Sequence, residues 1–466
     1  MKKFRLISLL LVILMVLSVF VGCGAPKKDS TGSSTSVTEQ DKSQSTSSVE
    51  KTTLKYMTWS GGGQKVADEK AVKTFNDQNA NIEVKIEFVD EKNYLSKLNT
   101  LVAAGSPPDI AFLNEYLVHD WGSKGTITNL TDKFNSSNLT PDKFVPGALF
   151  QSDGKIWGAA PGVEVILLYY NKEIYKKYGV ETPSQDPLNP WTWDQYVESM
   201  KKVTTDLNGK HANEAGFNSK AIKVFGGTAP TFWLYYLPFL YSNNASLASP
   251  DGMSLALDTP EATHVLQSIA DLVYKHKVAP TPAAQKGLPA LAQMLANGQL
   301  ASFVGGQWEL SSFGEIKYDV GIAPLPIFKK SSNISWGSSV VIFEKSEHKD
   351  EAFKFLQYYI EPESSLQLSI DASWMPNMKE WYSSADLASK WMDNERHSED
   401  FKKVVPKIAT EVAQVPENVS LKNFGPIVDQ FVTPQLDRLW LGQQSAEEAV
   451  KGLGDKVKDK MQGYWK

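Results

Sequence analysis

Apolar and polar residues alternate along Ile82, Val84, Ile86 and Phe88, the period-two pattern of a strand with one exposed face. Just before it, Leu54–Trp59 is a short apolar run that predicts another strand. Ser60-Gly61-Gly62-Gly63 turns that strand into a helix whose apolar positions include Val66, Val72 and Phe75. Tyr94, Leu95, Leu98, Leu101 and Val102 recur at helical spacing, and Gly105-Ser106-Pro107-Pro108 breaks that helix. Asp109 then leads into the solid apolar run Ile110–Leu113. Strand, helix, strand, helix, strand in such quick succession predicts a parallel sheet with right-handed crossovers. The alternating second strand belongs at a sheet edge and the solid third strand near its centre.

The same alternation of elements continues further on. Val165–Tyr170 is a second solid apolar run, and a strand is expected between Tyr318 and Phe328. Thr192 and Gln195 have capping-box spacing, with Trp191 and Tyr196 at staple positions around that helix start. Thr259-Pro260-Glu261 opens a helix with Val265, Leu266, Ile269, Leu272 and Val273 on one face. Ser445 and Glu448 cap a last amphipathic helix that is expected to run to Met461. The fold class is α/β in both halves, without a solenoid repeat.

The first residues follow other rules. Lys2, Lys3 and Arg5 precede an uncharged apolar run, Leu6–Val21, followed by Gly22 and Cys23. A basic start, an apolar stretch short for a membrane span and a small residue at the break describe a secretory signal, residues 1–22. The alternative is an uncleaved anchor helix around a chance cysteine. Both place the remainder outside the cytoplasm. Residues 23–52 are rich in Ser and Thr and carry no aromatic, so they are expected to be a disordered tether.

Composition narrows the chemistry. With 48 basic against 53 acidic residues and a net charge of −5, the chain does not have the bulk positive charge of a nucleic-acid binder. One cysteine excludes a disulfide framework and any multi-cysteine zinc site. Aromatics are plentiful, at 13 Trp, 17 Tyr and 21 Phe, whereas the arginines are Arg5, Arg396 and Arg438 alone.

Four segments, in order, resemble the family 1 extracellular solute-binding proteins, the maltose-binding-protein-like receptors of bacterial ABC importers. They are Tyr94-x-x-Lys97-Leu98-x-x-Leu101-x-Ala103-Ala104-Gly105-x-x-Pro108-Asp109-Ile110, and Pro161-Gly-Val-Glu164-x-x-x-Leu168-Tyr-Tyr170-Asn171-Lys172 with Thr192-Trp193-Asp194 downstream. Met294-x-x-x-Gly298-Gln-x-Ala301-x-x-x-Gly305-Gly306-Gln307-Trp308 and Gly321-Ile-Ala-Pro-Leu-Pro326 follow. Val21-Gly22-Cys23 resembles a bacterial lipoprotein signal, with Phe20 where a leucine is usual, and that makes Cys23 the lipidated residue. The resemblance implies a two-lobed periplasmic-binding-protein-like fold with interleaved lobes. The lobes would be 53–163 plus 326–372 and 164–325 plus 373–466, with the chain crossing near Glu164, Pro324 and Trp374. It also implies a carbohydrate ligand, permease partners in the membrane, a monomer, and a location on the outer face of the cell membrane.

A sugar presents apolar C–H faces and a rim of hydroxyls, so aromatic rings and carboxylates or amides are its natural partners. Trp308 follows a Gly-Gly bend and matches a sugar-stacking Trp of the family. Trp59 stands at a strand end beside three glycines, and Trp233 and Tyr235 follow Gly226-Gly227. Trp336 precedes Gly337, and Trp374 lies near the third crossing. Glu164 matches the acidic residue of the family's Pro-x-x-Glu segment, and Glu115 with Asn114 follows the third strand. Core packing is the competing reading for each ring, and a tie to backbone donors for Glu164. Asp109 is better explained as a turn residue. Anionic solutes are usually held by guanidinium forks, so the scarcity of arginine points to a neutral sugar. No cofactor and no metal is expected. A lipid-anchored glycosidase and a polysaccharide adhesin remain as alternatives, although no motif pairs two carboxylates for hydrolysis.

Overall fold

The computed structural model describes residues 51–59, 62–313 and 320–466. The expected signal, the lipidated Cys23, the tether up to residue 50 and the Ser60-Gly61 portion of the glycine turn lie outside these residues.

The strands of the first half are β1 (Thr52–Thr58), β2 (Ile82–Phe88), β3 (Ile110–Leu113), β4 (Leu149–Ser152) and β5 (Lys155–Ala159). After them come β6 (Ile166–Asn171) and a small ribbon of β7 (Thr205–Asp206) and β8 (Ile222–Val224). Then follow β9 (Ser302–Gly306), β10 (Val320–Ala323), β11 (Asn333–Ile334), β12 (Ser339–Ile342) and β13 (Ala413–Gln414). One lobe is built on a six-stranded sheet of order β2-β1-β3-β12-β5-β4, the other on β10-β6-β9.

β1 pairs in parallel with β2 on one side and β3 on the other. The alternating strand is therefore the edge strand, and every residue of the solid run in β3 is buried. Helices Gly62–Gln78 and Glu91–Ala103 make the crossovers. Tyr94 fixes the second of them to the sheet: its hydroxyl donates to the carbonyls of Met57 (3.0 Å) and Phe112 (2.7 Å). Val72 and Phe75 are buried as the helical pattern requires, but Val66 is 65% exposed. The other sheet departs from the parallel arrangement. β6 is its central strand, wholly buried, and both neighbours run antiparallel to it.

The chain passes between the sheets through three segments that hydrogen-bond side by side. Val163 and Met375 exchange two backbone bonds of 2.9 Å, and Glu164 and Trp336 exchange bonds of 2.8 and 3.4 Å. β12, beyond Trp336, returns antiparallel beside β3 in the first sheet. The middle pass is near Trp336 and not near Pro324. Pro324 and Pro326 have no N–H, but Ile327 bonds to the backbone of Trp191 and Trp193, and the Asn333 side chain bonds both N and O of Ile166. Residues 327–334 therefore stay with the second sheet.

Two caps appear as the spacing requires: Thr192/Gln195 and Ser445/Glu448 both form reciprocal capping boxes. The last helix does not continue to Met461. Gly452 adopts a left-handed conformation (φ 66°) and divides it into short pieces.

Candidate functional site

Where the three passing segments meet, side chains from both lobes converge. β9 ends at Gly306, and Gln307 then bonds back through its N–H to Val165 O (2.9 Å) and through its amide Nε2 to Ala372 O (2.6 Å). This places Trp308 beside the Glu164–Trp336 pair. The indole folds over Gly306 so closely that a Cβ there would lie 2.0 Å from the ring. The rings of Trp308 and Trp336 meet edge to face at 5.9 Å. Trp308 is half-buried, whereas Trp336 is nearly covered.

On the first lobe, Trp374 stands against Gly162, and a chain of rings leads from it to Phe112 (5.8 Å), Trp59 (4.8 Å) and Tyr94 (4.8 Å). Trp59 and Phe112 lie at the carboxyl ends of β1 and β3, where ligands of open parallel sheets bind. Asp109 does what its turn position suggested: its carboxylate accepts from Lys55 N (2.8 Å) and the Ser346 hydroxyl (2.5 Å).

The carboxylates give this junction its character. Glu115 is the first residue of helix Glu115–Ser123, buried, and accepts a 2.8 Å bond from Asn418 Nδ2. Burial raises its pKa above the usual range, although helix N–H, Asn418 and Ser338 donors oppose that rise. Glu164, half-buried by exposed surface yet surrounded by protein, is pushed up to about 8 by desolvation and then by the charge of Glu115. Tyr235 is pushed up to about 12 by burial, by Glu309 and, more weakly, by Glu164, while a hydrogen bond with the Gly306 backbone lowers it. Burial likewise raises Glu309. A low-dielectric setting strengthens any hydrogen bond these groups make to a ligand.

Of the candidate residues, Glu164, Trp308 and Trp336 are linked by direct contacts, and Glu115 and Tyr235 join them through their charge interaction with Glu164. Trp374 and Trp59 join them through Phe112 and Gly162. Trp233, two residues from Tyr235 on helix Trp233–Ser242, turns its ring to Phe424 (4.9 Å) and lines a separate cavity with Thr433 and Leu436. Asn114 caps the helix by position but makes no side-chain capping bond. The sequence did not single out Gln307, Glu309 or Asn418. The first two adjoin Trp308 in the same motif, while Asn418 carries no local signal. Tyr235 also lines a cavity of about 330 Å³ with Phe232, Val304 and Trp440. Among the described residues, no cluster of three or more His, Cys, Asp or Glu is placed to hold a metal.

Residues 60–365 match the family described as bacterial extracellular solute-binding protein. An arabinooligosaccharide-binding protein of Halalkalibacterium halodurans is 27% identical over 343 residues, 69% of this chain and 70% of that relative. An ABC substrate-binding protein of Listeria monocytogenes, solved in complex with cycloalternan, superposes with a TM-score of 0.73 at 22% identity, over 88% of this chain and 99% of that one. The sugar-binding protein MalE of Xanthomonas citri gives a TM-score of 0.71 at 21% identity, over 88% and 97%.

Proposed function

Because the chain belongs to the bacterial extracellular solute-binding proteins, we propose that it captures a sugar or oligosaccharide between its lobes and delivers it to the membrane subunits of an ABC importer. The observation that carries this reading is the meeting of Trp308, Trp336 and Glu164 where the chain passes between sheets. Trp308 supplies an apolar face, Tyr235 and the carboxylates supply the polar rim, and the passing segments act as the hinge. The lobe division follows the passes at Glu164, Trp336 and Trp374. Residues 59–163 on one side and 164–334 on the other would then close around the solute.

The protein acts as a monomer and carries no catalytic activity in this reading. Clustered carboxylates and rings are equally the materials of a glycosidase, so product analysis decides between them. Incubation with oligosaccharides is expected to leave them intact, while a thermal-shift screen finds sugars that raise the melting temperature by mass action. Trp308→Ala is expected to weaken binding of such a sugar about tenfold, from the loss of one stacked ring of about 0.5–1.5 kcal/mol beyond its burial. Cleavage products abolished by Glu164→Ala would support the enzyme instead.

The rest of the reading concerns attachment. Residues 1–22 serve as a lipoprotein signal, Cys23 takes the lipid, and 23–52 is the tether holding the lobes at the outer face of the cell membrane. Cys23→Ser is expected to move the protein from the membrane fraction into the medium. Retention of the variant in the membrane fraction would favour an anchor helix.

A further inference from the structure

We propose that the cleft also accepts, and prefers, sugars bearing an ammonium group. This rests on the reading of the junction as a sugar site. The scarcity of arginine argues against anionic ligands, but it says nothing against cations.

Three observations point to a cation. The first is a cluster of acceptors contributed by both lobes: Glu115 begins a first-lobe helix, Glu164 lies in a passing segment, and Glu309 follows Trp308 on the second lobe. The second is the absence of a balancing charge among the described residues. Glu115 is the charge that acts on Glu164, and no lysine or arginine acts on Glu115, Glu164 or Glu309. The arginine nearest in sequence to the passes, Arg396, pairs at 3.4 Å with Asp371. The other ionisable group facing Glu164 is the Tyr235 phenol, and the Tyr116 phenol faces Glu115.

The third observation is independent of charge. Two fully buried amides at this junction keep an acceptor without a donor. Asn418 gives its Nδ2 to Glu115 and leaves Oδ1 unpaired, and Gln307 gives its Nε2 to Ala372 O and leaves Oε1 unpaired. Each amide's orientation is fixed by the acceptor its nitrogen meets, so the free atom is the carbonyl. Buried acceptors without donors are costly, and an ammonium supplies three N–H donors to such a site. The half-buried indole of Trp308 suits the same guest, since a cation is attracted to an aromatic face. A neutral sugar fills this environment only by hydroxyl donation, with at least one carboxyl kept protonated.

The test is calorimetric titration of the full chain at about pH 6.5, where an amine of ordinary basicity is charged and, on binding, displaces the proton that Glu164 otherwise holds. The probes are glucosamine and its β-1,4-linked dimer, each against glucose and cellobiose and against the N-acetylated forms. The aminated sugar is expected to bind at least about tenfold more tightly than its neutral counterpart, with the advantage shrinking as salt is raised. Glu164→Gln and Glu115→Gln are expected to remove that advantage, so that aminated and neutral sugars bind each variant alike. The salt series on the unaltered chain gives the same answer if either variant fails to fold. Neutral sugars that bind as tightly as aminated ones, or more tightly, overturn the inference and leave the sugar reading standing. Failure of every sugar, charged or neutral, overturns both.

Discussion

Gly337→Ala is expected to destabilise the folded chain by about 3 kcal/mol, at the upper end of what overpacking usually costs. A Cβ at Gly337 would lie 2.2 Å from the carbonyl oxygen of Gly162 and 2.7 Å from the Ala160 methyl. The first of these is backbone and cannot swing aside. Nor can Gly162 retreat, because its own Cβ position is 2.6 Å from Trp374 Cβ and the Val163–Met375 pair holds it on that side. The substitution must therefore push adjacent passing segments away from each other, breaking the Glu164–Trp336 pairing or straining β12. Urea unfolding measures the effect as a lower midpoint at unchanged slope. Gly287→Ala is the control, since the nearest atom to its added Cβ is at an ordinary 3.6 Å. Equal midpoints for Gly337→Ala and the parent chain would show that these segments are not packed as described.

Replacing Glu164 with glutamine is expected to stabilise the protein at alkaline pH and to leave it unchanged in acid. In the folded chain the carboxyl is pushed up to about 8, first by desolvation and then by Glu115. Unfolded, it titrates near an ordinary value of about 4.3. Between these values the folded state holds a proton that the unfolded state has released, so stability falls as pH rises. The contribution is fully present below the unfolded pKa and is lost as pH climbs through the folded one. Glutamine cannot ionise and removes that slope. The expected gain at pH 8 is about 2 kcal/mol, less than the full linkage because the side chain is partly exposed and Glu115 shares the titration. Parallel stability–pH curves for the two proteins between pH 5 and 8 would contradict the assigned environment.

How much of this was legible in the sequence depended on the range of the interaction. Where a residue's role is set by near neighbours, the pattern sufficed: the alternation of Ile82–Phe88 marked an edge strand, and Thr192/Gln195 marked a cap. Two misreadings share a cause in distant partners. Val66 fits the apolar stripe of its helix by spacing, yet the stripe is centred on Val72 and Phe75 and leaves Val66 outside. The prolines at 324 and 326 look like a place for the chain to leave a lobe, but Ile327 and Asn333 are held by Trp191, Trp193 and Ile166, more than a hundred residues away in sequence. Asn418 was invisible for the same reason, since its importance comes entirely from Glu115, 303 residues earlier. The rings were easier to list than to sort. Trp59, Trp308 and Trp233 all sit beside glycine-rich or loop sequence, and only the direction of each ring separates those at the junction from the one on Phe424.

The most direct test of the central claim is a calorimetric titration of the chain with arabino- and malto-oligosaccharides, followed by analysis of the recovered sugar. One site per chain, saturable binding and an unaltered sugar are expected, with affinity reduced by Trp308→Ala. Shortened sugar products, or no saturable binding by any carbohydrate, would contradict it.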